Sequence, residues 1–218
     1  MISHVFFSDR KAVVRGVRAA GPAAILAIIL AVVLVDRPLA DWSHAHLHGQ
    51  RLFVWLTWIV DPVPTAATVG LAGLAAAFLA GWRPGTVGRV ALAECLAVLL
   101  AVGLKDVFKE AVGRTWPETW TNGNPSWITH GVFTMDPFHG GQGWASFPSG
   151  HTAVISAAMG VLWYAVPRWR TVWLLPVVAV MVGLGGADFH WLSDMVGGLA
   201  VGMAAAAGAL ALVTWDRR

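Results

Sequence analysis

Charge is scarce in this sequence, and cysteine is almost absent. Asp, Glu, Lys and Arg make up 12% of the 218 residues, about half the share usual in soluble domains. That shortage excludes a disordered chain and most soluble enzymes. The single cysteine, Cys95, lies inside an apolar stretch, which excludes both a disulfide framework and a cysteine-built metal site. The formal net charge is only +3. Its basic residues sit between apolar runs, a pattern of membrane topology and not of nucleic-acid binding.

Apolar residues are abundant instead. They account for 57% of the chain, and mean hydropathy is +0.64. A bilayer-spanning helix uses roughly 20 mostly apolar residues. The sequence predicts an all-α integral membrane protein, a single domain over 1–218, with six transmembrane helices near 19–35, 63–81, 89–109, 150–166, 171–187 and 191–213. The Pro62 and Pro64 pair interrupts the approach to the second, and Pro176 lies inside the fifth. The run from Ala19 to Val35 follows a basic stretch over 1–18 and ends on Asp36-Arg37-Pro38, not on small residues. It is read as an uncleaved first span.

Lys and Arg set the orientation. With the N-terminus cytoplasmic, one side collects Arg10, Lys11, Arg15, Arg18, Arg83, Arg89, Arg168, Arg170, Arg217 and Arg218. The other holds Arg37, Arg51, Lys105, Lys109 and Arg114. Both termini are therefore expected in the cytoplasm, and in a bacterium the 110–148 segment is expected at the periplasmic face. This segment is polar, rich in Gly and Pro, and carries Trp116, Trp120, Trp127 and Trp144, residues suited to a membrane interface. The 36–51 segment, with His44, His46 and His48, is read as a second outer stretch, solvated or interfacial. Nothing in the sequence alone orients those rings for a metal.

Three clusters at the outer face carry chemistry. Lys105 and Lys109 are one helical turn apart and Arg114 follows, so like charges share a face that an anion would relieve. Pro148-Ser149-Gly150-His151 opens the fourth apolar run. There Ser149 can cap a helix whose free N–H groups suit an anion, and His151 adds a group that titrates near neutrality. His190 and Asp194 are spaced i, i+4, which lets the carboxylate fix the imidazole tautomer and raise the basicity of its other nitrogen. Cations, a helix N-terminus and two histidines form a phosphate site suited to transfer through a phosphohistidine, with no metal and no cofactor. A metal reading through His130, His139, His151 and His190 matches no familiar ligand spacing.

These motifs resemble the type 2 phosphatidic acid phosphatase superfamily, which includes bacterial acid phosphatases and vanadium haloperoxidases. PSGH stands intact at 148–151 and the HxxxD core at His190 and Asp194. The first motif matches at Lys109, Gly113, Arg114 and Pro117. The resemblance implies His190 as nucleophile, Asp194 as its orienting partner and His151 as general acid. It places Lys109, Arg114, Ser149 and Gly150 on the phosphate oxygens. Two positions depart from the pattern: Trp116 stands where the first motif has a second arginine, and Leu184, after Gly183, where the third has arginine after serine. Each loss removes a bidentate contact. Arg114, with Lys105 or His139, is expected to fill the vacancy.

The implied function is hydrolysis of a phosphomonoester or diphosphate of a membrane lipid. Undecaprenyl diphosphate, phosphatidate, phosphatidylglycerophosphate and lipid A phosphates all remain open, as do a lipid phosphotransferase and a non-catalytic anionic-lipid binder. The expected setting is the bacterial inner membrane, multi-pass, with the bilayer and a lipid phosphate as partners and no nucleic acid. Glu94 is expected to face the bundle interior. Gly197 and Gly198 are expected to let the last helix pack closely.

Overall fold

The structure, a computed structural model, describes residues 10–120 and 122–213. Arg217 and Arg218, counted in the charge bias, lie outside the described residues, as do residues 1–9 of the N-terminal stretch. Among the described residues the regular structure is helical, with only isolated β-bridges besides. Helix α1 (Arg10–Leu30) runs through a π-turn (Ala31–Val35) into α2 (Asp36–Leu47). Then come α3 (Arg51–Thr57), α4 (Pro62–Leu79), α5 (Thr86–Val112) and a short α6 (Trp127–His130). The chain closes with α7 (Gly150–Ala165), α8 (Arg170–Gly186) and α9 (Leu192–Val213).

Among the described residues, five stretches are long and apolar enough to cross a membrane: Arg15–Leu47, Arg51–Leu79, Thr86–Val112, Pro167–Gly186 and Leu192–Val213. They correspond to five of the six expected spans. The remaining one is α7, which has 16 residues and so rises only about 24 Å, short of the ~30 Å hydrocarbon thickness. Its side chains are buried against α5, α8 and α9, which makes it the central post of the bundle. Outward-facing apolar residues such as Leu34, Leu79, Val87 and Leu175 are exposed, as a lipid-facing surface requires.

The first span does not stop at Val35. The Asp36 N–H reaches back five residues to the Ala31 carbonyl, and the helix continues as α2. Pro38 lies within α2 without ending the helix. Helicity over 36–47 is the part of this region that the sequence reading did not anticipate. Between α3 and α4, Pro62 opens the new helix at a position where proline is favoured. Helix α5 ends on Gly113 in the left-handed region, φ +57°, which turns the chain inward toward Arg114.

Small residues bring the central helices together. Ala93, Ala97 and Ala101 of α5 meet Ala153 and Ala157 of α7 and Ala205, Ala206 and Ala209 of α9. A Cβ on Gly198 would stand 2.5 Å from the Ser149 carbonyl oxygen, and one on Gly202 would stand 2.4 Å from that of Ala153. Neither leaves room for a methyl group. Gly202→Ala is therefore expected to destabilise the protein by about 1–3 kcal/mol through overpacking, although alanine is the better helix former. Thermal unfolding in detergent measures this, and a rise in stability would contradict the close approach.

The candidate functional site

A cavity of about 570 Å³ opens at one end of the bundle. Lys105 and Lys109 reach it from the C-terminal part of α5, Gly150 and His151 from the start of α7, and His190 from the turn before α9. Asp61 and Pro64 enter from the corner between α3 and α4, and Leu184 from the last turns of α8. Since α5 and α8 end here while α4, α7 and α9 begin here, successive long helices alternate in direction. Trp116, Trp120 and Phe189 supply an aromatic wall.

The His190 Nδ1 lies 3.3 Å from Asp194 Oδ2. With Nδ1–H donating there, Nε2 keeps its lone pair. Burial holds the imidazole well below the usual histidine range, at about 4, even though Asp194 opposes the shift. The ring is therefore neutral near pH 7, the form a nitrogen nucleophile needs. The Trp116 ring packs on it at 5.0 Å between centroids.

Asp194 is fully enclosed and heavily hydrogen-bonded. Ser146 Oγ donates to its Oδ2 at 2.5 Å, and the Trp191 backbone N–H donates at 3.2 Å. Arg114 donates to its Oδ1 at 2.6 Å. The other guanidinium nitrogen of Arg114 donates to Asp36 Oδ2 at 2.7 Å. Asp36 also accepts from the Ser193 N–H at 3.0 Å and from its hydroxyl at 2.5 Å. One cation thus sits between two buried carboxylates and joins the end of the first span to the start of the last.

Two of the residues expected on the phosphate stand behind the cavity wall. Arg114 does not line the cavity: it is 1% exposed and its guanidinium donates to Asp36, Asp194 and Ser193. Ser149 is also buried away from the lining. Its hydroxyl caps α7 by accepting from the Thr152 N–H, and its own N–H donates to the Asp194 carbonyl at 3.0 Å. Both tie the starts of α7 and α9 in place. His139 stacks on Trp144 at 4.2 Å, outside the cavity lining, so it does not fill the vacancy either. The cavity cations are Lys105, which pairs with Asp106, and Lys109, which donates to the Ala145 carbonyl and lies over the Trp116 ring.

Both departures from the arginine pattern fall on the cavity wall, where Trp116 and Leu184 present apolar surface. Several neighbours of the site escaped the sequence reading. His151 Nε2 stands 3.8 Å from Asp61 Oδ1. The only sequence signal for Asp61 was an acid beside the proline pair at a span boundary. Asp36 and Ser146 carried none, since their partners are 78 and 48 residues distant.

The model of the PAP2 superfamily matches residues 90–218, more than half of the chain, and the chain belongs to that superfamily. Two curated relatives are each 32% identical over 104 residues: the lipid A 1-phosphatases of Rhizobium etli and Rhizobium johnstonii. The matched stretch is 45% of this chain in both cases, and 40% and 38% of the respective relatives. The chain thus spans about two fifths of the length of the relatives it matches. No solved structure matches it.

Proposed function

We propose that this protein removes phosphate from a membrane lipid by way of a phosphohistidine, with no metal in the chemical steps. The observation that carries the reading is the single cavity shared by the His190–Asp194 pair, His151 and two lysines. His190 Nε2 attacks phosphorus, and an N–P bond forms as the bond to the lipid oxygen breaks. His151 gives its proton to that leaving oxygen. Water then enters, His151 takes a proton from it, and the resulting attack breaks the N–P bond and frees inorganic phosphate. Asp194 holds the His190 tautomer throughout. Lys105, Lys109 and the backbone at Gly150 hold the phosphate oxygens, a place where fixed cations replace a divalent ion. Arg114 and Ser149 act by positioning.

A lipid substrate is supported by the five membrane-length helices, which put the cavity at one end of the bundle. The Rhizobium relatives favour the lipid A 1-phosphate as the first compound to try. The aromatic wall beside the lysines gives the non-phosphate part of the headgroup an apolar face. The Lys and Arg bias supports an inner-membrane protein with both termini cytoplasmic and this cavity at the periplasmic face.

The test is phosphate release from a panel of lipid monophosphates and diphosphates in detergent, with and without EDTA. A second arm uses a lipid labelled at phosphorus and quenches the reaction in base, where a phosphoramidate survives. Release that resists EDTA, with label on His190, is expected. Label on no histidine would reject the mechanism. Phosphate appearing on a second lipid would make the enzyme a transferase. No release from any lipid by folded protein would favour a non-catalytic lipid binder, which the apolar Trp116 and Leu184 walls would then explain.

A further inference from the structure

We propose that His44, His48 and Asp188 form a divalent-metal site, suited to Zn²⁺, that braces the turn before His190. None of the three lines the phosphate cavity. His44 lies in the last turn of α2 and His48 is its C-cap, so the two are one turn apart on one helix face. His46 falls between them and turns elsewhere, its Nδ1 on the Trp42 carbonyl at 2.8 Å. The Nδ1 atoms of His44 and His48 both converge on Asp188 Oδ2, each at 2.9 Å. Their rings are 4.3 Å apart between centroids.

Asp188 gives the independent sign of a missing ligand. Its side chain is 1% exposed, yet its Oδ1 has no hydrogen-bond partner. A buried carboxylate oxygen left in that state is costly. Its backbone adopts φ +58°, a left-handed conformation that Asp tolerates better than most residues. The three donor atoms lie within 4.8 Å of one another. Zn²⁺ takes His nitrogen and carboxylate oxygen at about 2.0–2.2 Å, so small shifts of two partly exposed rings would seat it. Glu118 Oε2 is 3.6 Å from His44 Nδ1, outside the group of three donors, and water would complete the coordination. Two imidazoles with a carboxylate suit Zn²⁺ better than Mg²⁺ or Ca²⁺, which favour all-oxygen sets.

The site clamps two pieces of chain together: the end of α2 and the α8–α9 turn. Asp188 is two residues before His190, so the metal holds the backbone on which that imidazole is mounted. Its role is positioning, separate from the chemical steps.

The experiment uses the full chain in detergent, stripped by chelation and then titrated with Zn²⁺, Mg²⁺ and Ca²⁺ by calorimetry. Thermal unfolding is followed in parallel, and neither readout needs turnover. One Zn²⁺ per chain and a rise of several degrees in Tm are expected. His48→Ala removes a half-exposed ring with little risk to folding. It and His44→Ala are each expected to weaken Zn²⁺ binding at least ~100-fold and to abolish the rise, while His46→Ala changes neither. No Zn²⁺ binding above the detergent blank would show that the imidazoles only hydrogen-bond Asp188, and would overturn the proposal. Full binding by the His44→Ala/His48→Ala double variant would overturn it as well. Phosphate release could fail in every assay and leave this result standing.

Discussion

Replacing His190 by alanine is expected to lower phosphate release at least ~10⁴-fold, since loss of a nucleophile in a concerted set costs about that much or more. The residue has no substitute nearby. His151 approaches from α7 and lacks a buried carboxylate like Asp194; its neighbour is the more exposed Asp61 at 3.8 Å. The two lysines are cations. The variant should fold, because the Asp194 environment survives: Ser146, the Trp191 N–H and Arg114 still donate to that carboxylate. Thermal unfolding in detergent serves as the control. Phosphate release and base-stable label should both vanish from a protein of near-normal Tm. A variant that retained a tenth of the rate would move the nucleophile to another group and end the phosphohistidine reading.

Arg114→Leu is expected to act through stability. The substitution leaves Asp36 and Asp194, both fully buried, without their shared cation. Uncompensated buried charge of that kind costs about 3–5 kcal/mol. The guanidinium also lies over the rings of Phe133 and Trp191, at 5.2 and 5.3 Å from their centroids, and a leucine recovers only part of that packing. Arg114→Lys keeps the charge but cannot fork to both acids, so it should fall between the two. Unfolding in detergent gives the size of the effect. Adding Asp36→Asn to Arg114→Leu should recover part of the loss, because one of the stranded charges is then gone. A residue that merely touched phosphate would behave differently, losing turnover while Tm stayed put. That outcome would restore the phosphate contact implied by the motif.

The local elements of the site were legible in the sequence because each is a short-range pattern. PSGH at 148–151 is contiguous, and Ser149 does cap α7 as its position before an apolar run suggested. His190 and Asp194 are four apart, and with His190 in the turn just before α9 and Asp194 in its first turn, this short separation leaves them 3.3 Å apart. Lys105 and Lys109 on α5 were legible in the same way, as were five of the six apolar runs, whose length and composition suffice. The close seating of α9 through Gly198 also followed from composition.

Tertiary structure decided the rest, because it depends on contacts between distant parts of the chain. Motif spacing shows that Arg114 is near Lys109 but not which way its guanidinium turns. Asp36, 78 residues earlier, turns it into the core. The sequence suggested a possible metal pattern in His44, His46 and His48 but supplied no carboxylate to orient them. Asp188, about 140 residues later, selects two and leaves the third aside. Composition could mark 150–166 as apolar. Only packing shows that α7 is enclosed by protein on its sides, since an apolar face reads the same in sequence whether it meets lipid tails or alanines.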